Sequence, residues 1–140
     1  RNTIQIDTNH FSLKFLPLIC YEIIYSGKIF NNFDFDFIIN ISEDGWFGKS
    51  IGPQQHFVKS IFRAIENNTF LLRSANQGVS AIIDNKGNII KELNRNEAGN
   101  IELEIPLINS KKNKNDLIFF ILLTTYLFIF FIYKKKNEKK

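Results

Sequence analysis

Residues Phe15–Ser26 read FLPLICYEIIYS, and the rest of the chain is best understood outward from this stretch. Phe15 to Ile19 is an apolar run of the kind that forms a buried strand. It delivers Cys20, the single cysteine of the chain. Tyr21 and Glu22 follow, and the pattern then turns helical over about residues 21–31, with Ile23, Ile24, Ile29 and Phe30 at the apolar positions. A cysteine at a strand-to-helix turn presents its thiol above the sheet edge. It also sits near the first amides of a helix, which favour thiolate over thiol. Cys20 is therefore a candidate nucleophile. The commoner fate of a lone cysteine is a small core residue, and the remaining sequence decides between the two. Pro17 is awkward within the strand because it removes one ladder donor.

Upstream, residues 1–14 alternate weakly around Thr3–Asp7 and suit an edge strand or an ordered lead-in. Downstream, Phe37–Ile41 (FIINI) reads as a second buried strand. It runs into Ser42–Gly52, SEDGWFGKSIG, a loop with three glycines and the pair Trp46-Phe47. Exposed loop aromatics suggest a binding surface, whereas the plainer reading folds both rings onto the core. Pro53 suits the first residue of a helix. That helix reaches about Asn67, with Phe57, Val58, Ile61, Phe62, Ala64 and Ile65 as its apolar positions. His56 lies on the first turn and His10 in the lead-in; neither has a companion at metal-ligand spacing, so no metal and no cofactor are expected. Phe70–Ser74, Val79–Ile83, Asn88–Glu92 and Ile101–Ile105 read as short strands, with Asp84-Asn85-Lys86-Gly87 as a hairpin turn. The order is β and α first and a β meander afterwards, an α/β or α+β layered domain, with α/β the expected class.

The chain has 140 residues, enough for one domain. Its net charge of +4 is matched by the C-terminal end alone, where Lys134, Lys135, Lys136, Lys139 and Lys140 face Glu138. The body is near neutral, which argues against a nucleic-acid surface. One cysteine excludes an internal disulfide. After the charged linker 110–116 comes Leu117–Tyr133, 17 residues without a charge. As a helix it spans about 25 Å, the short end of the transmembrane range. Lysines flank both ends, and the excess at the far end favours a cytoplasmic C-terminus with the globular body on the outer side. The chain begins at Arg1, with no leader visible there, and is expected to be the later part of something longer.

Four strings give these segments a family likeness: LICYE at Leu18–Glu22, NISEDGWFGKSIGPQQHF at Asn40–Phe57, FRAIENN at Phe62–Asn68 and LLRSANQGVSAIID at Leu71–Asp84. In order and spacing, and with an apolar helix at the end, the chain resembles the C-terminal half of the bacterial apolipoprotein N-acyltransferases. These are membrane members of the nitrilase, or carbon–nitrogen hydrolase, superfamily. The resemblance implies the C-terminal half of an αββα sandwich over residues 1–109, a linker at 110–116, one transmembrane helix at 117–133 and a basic tail at 134–140. It implies a two-step acyl transfer at the bacterial inner membrane. A cysteine thiolate takes a fatty acyl group from a phospholipid, and the N-terminal amine of a diacylglyceryl-cysteine lipoprotein then takes it from the thioester. Cys20 matches the nucleophile, Tyr21 would offer its backbone N–H to the oxyanion, and Glu22 matches the acidic residue that supports the site. Trp46 and Phe47 match an aromatic loop that contacts lipid or lipopeptide.

Two departures accompany the likeness. The family triad also has a Glu base and a Lys, and neither Lys14 nor Glu22 is placed to match them. The expectation is a chain inactive alone unless an upstream fragment completes it, with uncovered sheet faces that promote association. The family also carries Asn-Asp where this chain has Glu43-Asp44, which adds a negative charge near the site. Two other readings compete. One is a membrane-anchored amidase or nitrilase-type hydrolase; the other is a non-catalytic module that binds lipid or lipoprotein.

Overall fold

The computed structural model describes residues 2–26, 34–107 and 116–137. Six strands form one sheet in chain order: β1 (Ile4–Asp7), β2 (Ser12–Ile19), β3 (Phe37–Glu43), β4 (Phe70–Asn76), β5 (Ser80–Ile83) and β6 (Ile89–Leu93). β2, β3 and β4 run parallel, and the outer pairs are antiparallel. Helix α1 (Gly52–Asn67) joins β3 to β4. The lead-in forms an edge strand, and the β4–β5–β6 meander follows the α/β part, as the sequence pattern implied.

Pro17 fits for a reason the register makes visible. Lys14 turns its N–H to the Asp36 carboxylate and its C=O to the Asp36 N–H, both toward β3. Alternation therefore turns the Pro17 nitrogen to the opposite edge. There the β1 pairing ends at Ile4↔Phe15, so no ladder bond is lost.

The core lies between the sheet and α1. Leu16, Ile38, Leu71 and Ile83 are all fully buried and form one row across four strands, in register Leu16↔Ile38↔Leu71↔Ile83. Each such side chain contributes about 1.5–3 kcal/mol on burial. Ala64 and Phe57 of α1 close over them. The C-terminus of α1 is fixed by Asn68, whose left-handed backbone (φ 50°) lets its N–H reach back to Ala64 and Ile65. The other sheet face carries the stacked rings of Phe15 and Phe37, 5.8 Å apart, and Ile19 and Ile41, which are 54% and 55% exposed.

Two expectations need correction. The helix expected over about 21–31 is a 3₁₀ turn at Cys20–Ile24, ended by extended backbone at Tyr25 (ψ 134°), whose carbonyl accepts from Arg63. Residues 27–31 of that expectation lie outside the described residues. The strand expected at Ile101–Ile105 does not form. There the Glu102 carbonyl accepts from the Lys91 ammonium at 2.8 Å rather than from a strand N–H, and β6 keeps a lysine on its open edge. The apolar C-terminal helix, α2, covers Asp116–Asn137 and so contains the expected 117–133. Lysines in the last turn suit the negative end of a helix dipole. The span Leu117–Lys135 is long and apolar enough to cross a membrane, and none of it is buried against the rest of the chain. Of the expected linker, residues 110–115 lie outside the described residues, as do 138–140 of the expected tail.

Candidate active site

Cys20 sits where β2 ends, half-buried, with φ at +47°. A side-chain-bearing residue in the left-handed region is uncommon and needs support from its surroundings. Three contacts supply it. Glu22 accepts the Ile19 N–H on Oε2 at 2.8 Å, tying the end of the strand to the turn. The Cys20 Sγ lies 4.0 Å from the Glu43 carbonyl oxygen on the neighbouring strand. Beneath, the Cys20 carbonyl oxygen lies 3.2 Å from His56 Nε2.

His56 belongs to a buried polar cluster that extends the sheet's inner face toward the strand ends. Asn40 and Arg73 are register partners, one pair beyond the apolar row. Arg73 directs its guanidinium to the Asn40 side-chain oxygen, to Ser60 at 3.3 Å, to the Val79 carbonyl at 3.2 Å and to Asp44 Oδ2 at 2.7 Å, with Nη2 also 3.4 Å from His56 Nδ1. Asn40 in turn donates to the Leu18 carbonyl at 2.9 Å. Asp44 Oδ1 accepts from Ser42 Oγ at 2.7 Å and lies 2.8 Å from His56 Nδ1. Burial pushes the Asp44 carboxyl up, but hydrogen bonds from His56 and Ser42 and the charge of Arg73 outweigh it and hold it at about 2. Burial lowers Arg73 from the ordinary arginine value despite the Asp44 charge beside it. Gly78 makes room for this pair, since a Cβ there would fall 2.2 Å from Asp44 Oδ2.

The aromatic residues divide. Trp46 is 87% exposed on its 3₁₀ turn, Gly45–Phe47. Phe47 folds back: its ring lies 5.5 Å from that of His56, and it occupies the space a Cβ at Gly52 would need. Tyr21 packs on His56 at 5.7 Å, with its own side chain mostly exposed. Tyr21, Ile24, Phe47, Gly52, Gln55, His56 and Lys59 line a cavity of about 170 Å³ beside the turn. The Glu43 carboxylate is held by the Gly45 N–H at 2.7 Å and the Asn76 amide at 2.5 Å, so the extra charge caps the aromatic turn. Among the described residues, no three His, Cys, Asp or Glu side chains come together as metal ligands.

The carbon–nitrogen hydrolase family pattern matches residues 3–112, a stretch that contains this whole arrangement. The chain belongs to the carbon–nitrogen hydrolase family. Curated relatives carry the name apolipoprotein N-acyltransferase. The protein of Rickettsia bellii is 46% identical over 127 residues, covering 84% of this chain and 26% of the relative. That of Rickettsia typhi is 50% identical over 97 residues, 69% of this chain and 20% of the relative. That of Rhizobium rhizogenes is 43% identical over 99 residues, 70% of this chain and 19% of the relative. The chain thus spans about a quarter or less of the length of these relatives.

Within this carbon–nitrogen hydrolase domain, Cys20, Tyr21 and Glu22 share one turn, and Phe47 joins Tyr21 through His56. Trp46 stands apart, in solvent. Asn40, Ser42, Asp44, His56, Ser60 and Arg73 were not singled out from the sequence as site residues. The available signal was Arg73 itself, a charge inside the apolar strand FLLRSAN, which only a buried partner explains.

Proposed function

We propose that this chain carries the nucleophile of a phospholipid-dependent N-acyltransferase and that Cys20 is that nucleophile. The observation that supports it best is the left-handed backbone of Cys20 at the end of a parallel strand, held from three sides. The relatives' name and the membrane-length helix α2 point to a lipid substrate. The Cys20 sulfur attacks the ester carbonyl of the phospholipid. An S–C bond forms, the C–O bond breaks, and the lysophospholipid hydroxyl leaves with the proton. The amine of a diacylglyceryl-cysteine lipoprotein then attacks the thioester. A C–N bond forms, the C–S bond breaks, and the thiol is regenerated. The Tyr21 backbone N–H faces the oxyanion, Glu22 steadies the turn, and Trp46 and Phe47 meet lipid or lipopeptide. α2 anchors the domain in the inner membrane, with the globular part periplasmic and the C-terminus cytoplasmic.

The family resemblance implies that a Glu base and a Lys also take part, and neither Lys14 nor Glu22 is placed to match them, so acyl transfer is tested with both supplied. The test is intact mass spectrometry of the chain in phospholipid vesicles, with the missing Glu and Lys supplied in trans on the upstream part of the Rickettsia bellii relative. The expected result is an acyl adduct removed by hydroxylamine and absent from Cys20→Ala. No adduct with the added part present would overturn the proposal and favour a binding role.

A further inference from the structure

The hydrogen-bond geometry around His56 leads past the nucleophile to what holds it. The short contact of Nδ1, 2.8 Å, is to Asp44 Oδ1, an oxygen of an ionised carboxylate and so an acceptor only. Nε2 faces the Cys20 carbonyl oxygen at 3.2 Å, again an acceptor only. The two groups that could donate to Nδ1 are both farther away, at 3.4 Å against 2.8 Å for Asp44 Oδ1. Ser42 Oγ is 3.4 Å from Nδ1 and gives its hydrogen to Asp44 at 2.7 Å. Arg73 Nη2 is 3.4 Å from Nδ1 and gives one of its two hydrogens to Asp44 Oδ2 at the shorter distance of 2.7 Å. The ring itself is buried between Phe47 and Tyr21.

Resting on the reading of Cys20 as nucleophile, we propose that His56 is a doubly protonated positioning residue: it donates from Nδ1 to Asp44 and from Nε2 to the Cys20 carbonyl, clamping the left-handed turn to the buried Asp44–Arg73 pair. The charged groups around it are Asp44 at the end of β3, Arg73 on β4 and Lys59 on its own helix, with Cys20 and Tyr21 on the turn. With His56 cationic, the buried trio Asp44, Arg73 and His56 carries one positive charge in excess. It lies directly under the turn that bears Sγ, and it has the sign that complements a thiolate.

The chain has only two histidines, so the state of His56 is directly readable. The full chain is labelled with ¹⁵N, His10 is replaced by Gln for assignment, and the imidazole nitrogens are observed at neutral pH in phospholipid nanodiscs. Both His56 nitrogens are expected in the protonated range, each coupled to its own hydrogen. A bare nitrogen at either position overturns the proposal. The positioning role is read from the rate at which iodoacetamide alkylates Cys20. His56→Phe is expected to change that rate about tenfold, while His56→Gln, which keeps a donor toward the carbonyl, returns to within about threefold of the parent. Equal rates in the two variants would contradict the clamp. Neither readout needs acyl transfer, so failure of this proposal and failure of the acyltransferase reading are separable.

Discussion

Two adjacent rows of side chains cross the same face of the sheet. In the first, Leu16, Ile38, Leu71 and Ile83 pack without a polar atom among them. In the second, one register pair closer to the strand ends, Leu18, Asn40, Arg73 and Ala81 follow, with Asp44 and His56 beyond them. Both rows are buried, yet they serve different ends. The apolar row gains free energy from removing hydrocarbon from water. The polar row has to recover the desolvation of a guanidinium and a carboxylate through hydrogen bonds, and such pairs add little net stability. What the polar row does supply is direction: each hydrogen bond fixes an atom, and the chain of bonds ends on the Cys20 carbonyl. Buried polar groups sit where position matters, and apolar ones where only volume does.

The sharpest way to break this comparison is to halve the ion pair. Arg73→Met leaves the Asp44 carboxylate buried without its guanidinium partner, and urea unfolding should show a loss of about 3–5 kcal/mol. Adding Asp44→Leu to that variant should recover part of the loss, because it removes the buried carboxylate that Arg73→Met leaves without its guanidinium. If the double variant were as unstable as the single one, the polar row would be a principal source of stability and the contrast would fail. Next in size, Leu71→Ala in the apolar row should cost about 3 kcal/mol by the same measurement.

A third prediction concerns acid. The Asp44 carboxyl is held at about 2, below its ordinary 3.8, so the folded state favours its ionised form. The resulting stabilisation, about 2 kcal/mol, is fully present above pH about 4 and is lost as pH falls toward about 2. Stability followed by circular dichroism should decline through that window in the parent, and Asp44→Asn should flatten the decline. The smallest effect belongs to the aromatic turn. Trp46→Ala, at a site 87% exposed, should change stability by less than about 0.5 kcal/mol while weakening association of the domain with phospholipid vesicles.

The apolar row was legible in the sequence because period-two burial leaves a visible trace in FLPLI, FIINI and FLL. The meander and its turn were legible too: Asp84 accepts the N–H groups of Lys86 and Asn88 at 2.8 Å, the Asx geometry that DNKG suggests. The polar row was hidden by distance along the chain. Asp44, His56 and Arg73 come from a loop, a helix and a strand, and only the parallel register brings them together. His56 read as a solitary side chain because its partners stand 12 and 17 residues away. Ile101–Ile105 misled in the opposite sense: its alternation fits a strand, but alternation says nothing about whether an edge accepts one. The Trp46-Phe47 pair was legible only as a choice between binding and packing; Phe47 packs on His56 and Trp46 stands in solvent.

The most direct test of the division between rows compares Asp44→Asn with Leu71→Ala at temperatures where both variants are folded to the same extent, reading the rate of Cys20 alkylation in the full chain. The account predicts that Leu71→Ala reacts at the parent rate and that Asp44→Asn, which weakens the bond ending on the Cys20 carbonyl, departs from it about tenfold. Equal rates in the two variants would mean that the polar row is packing like the rest and does not hold the Cys20 turn.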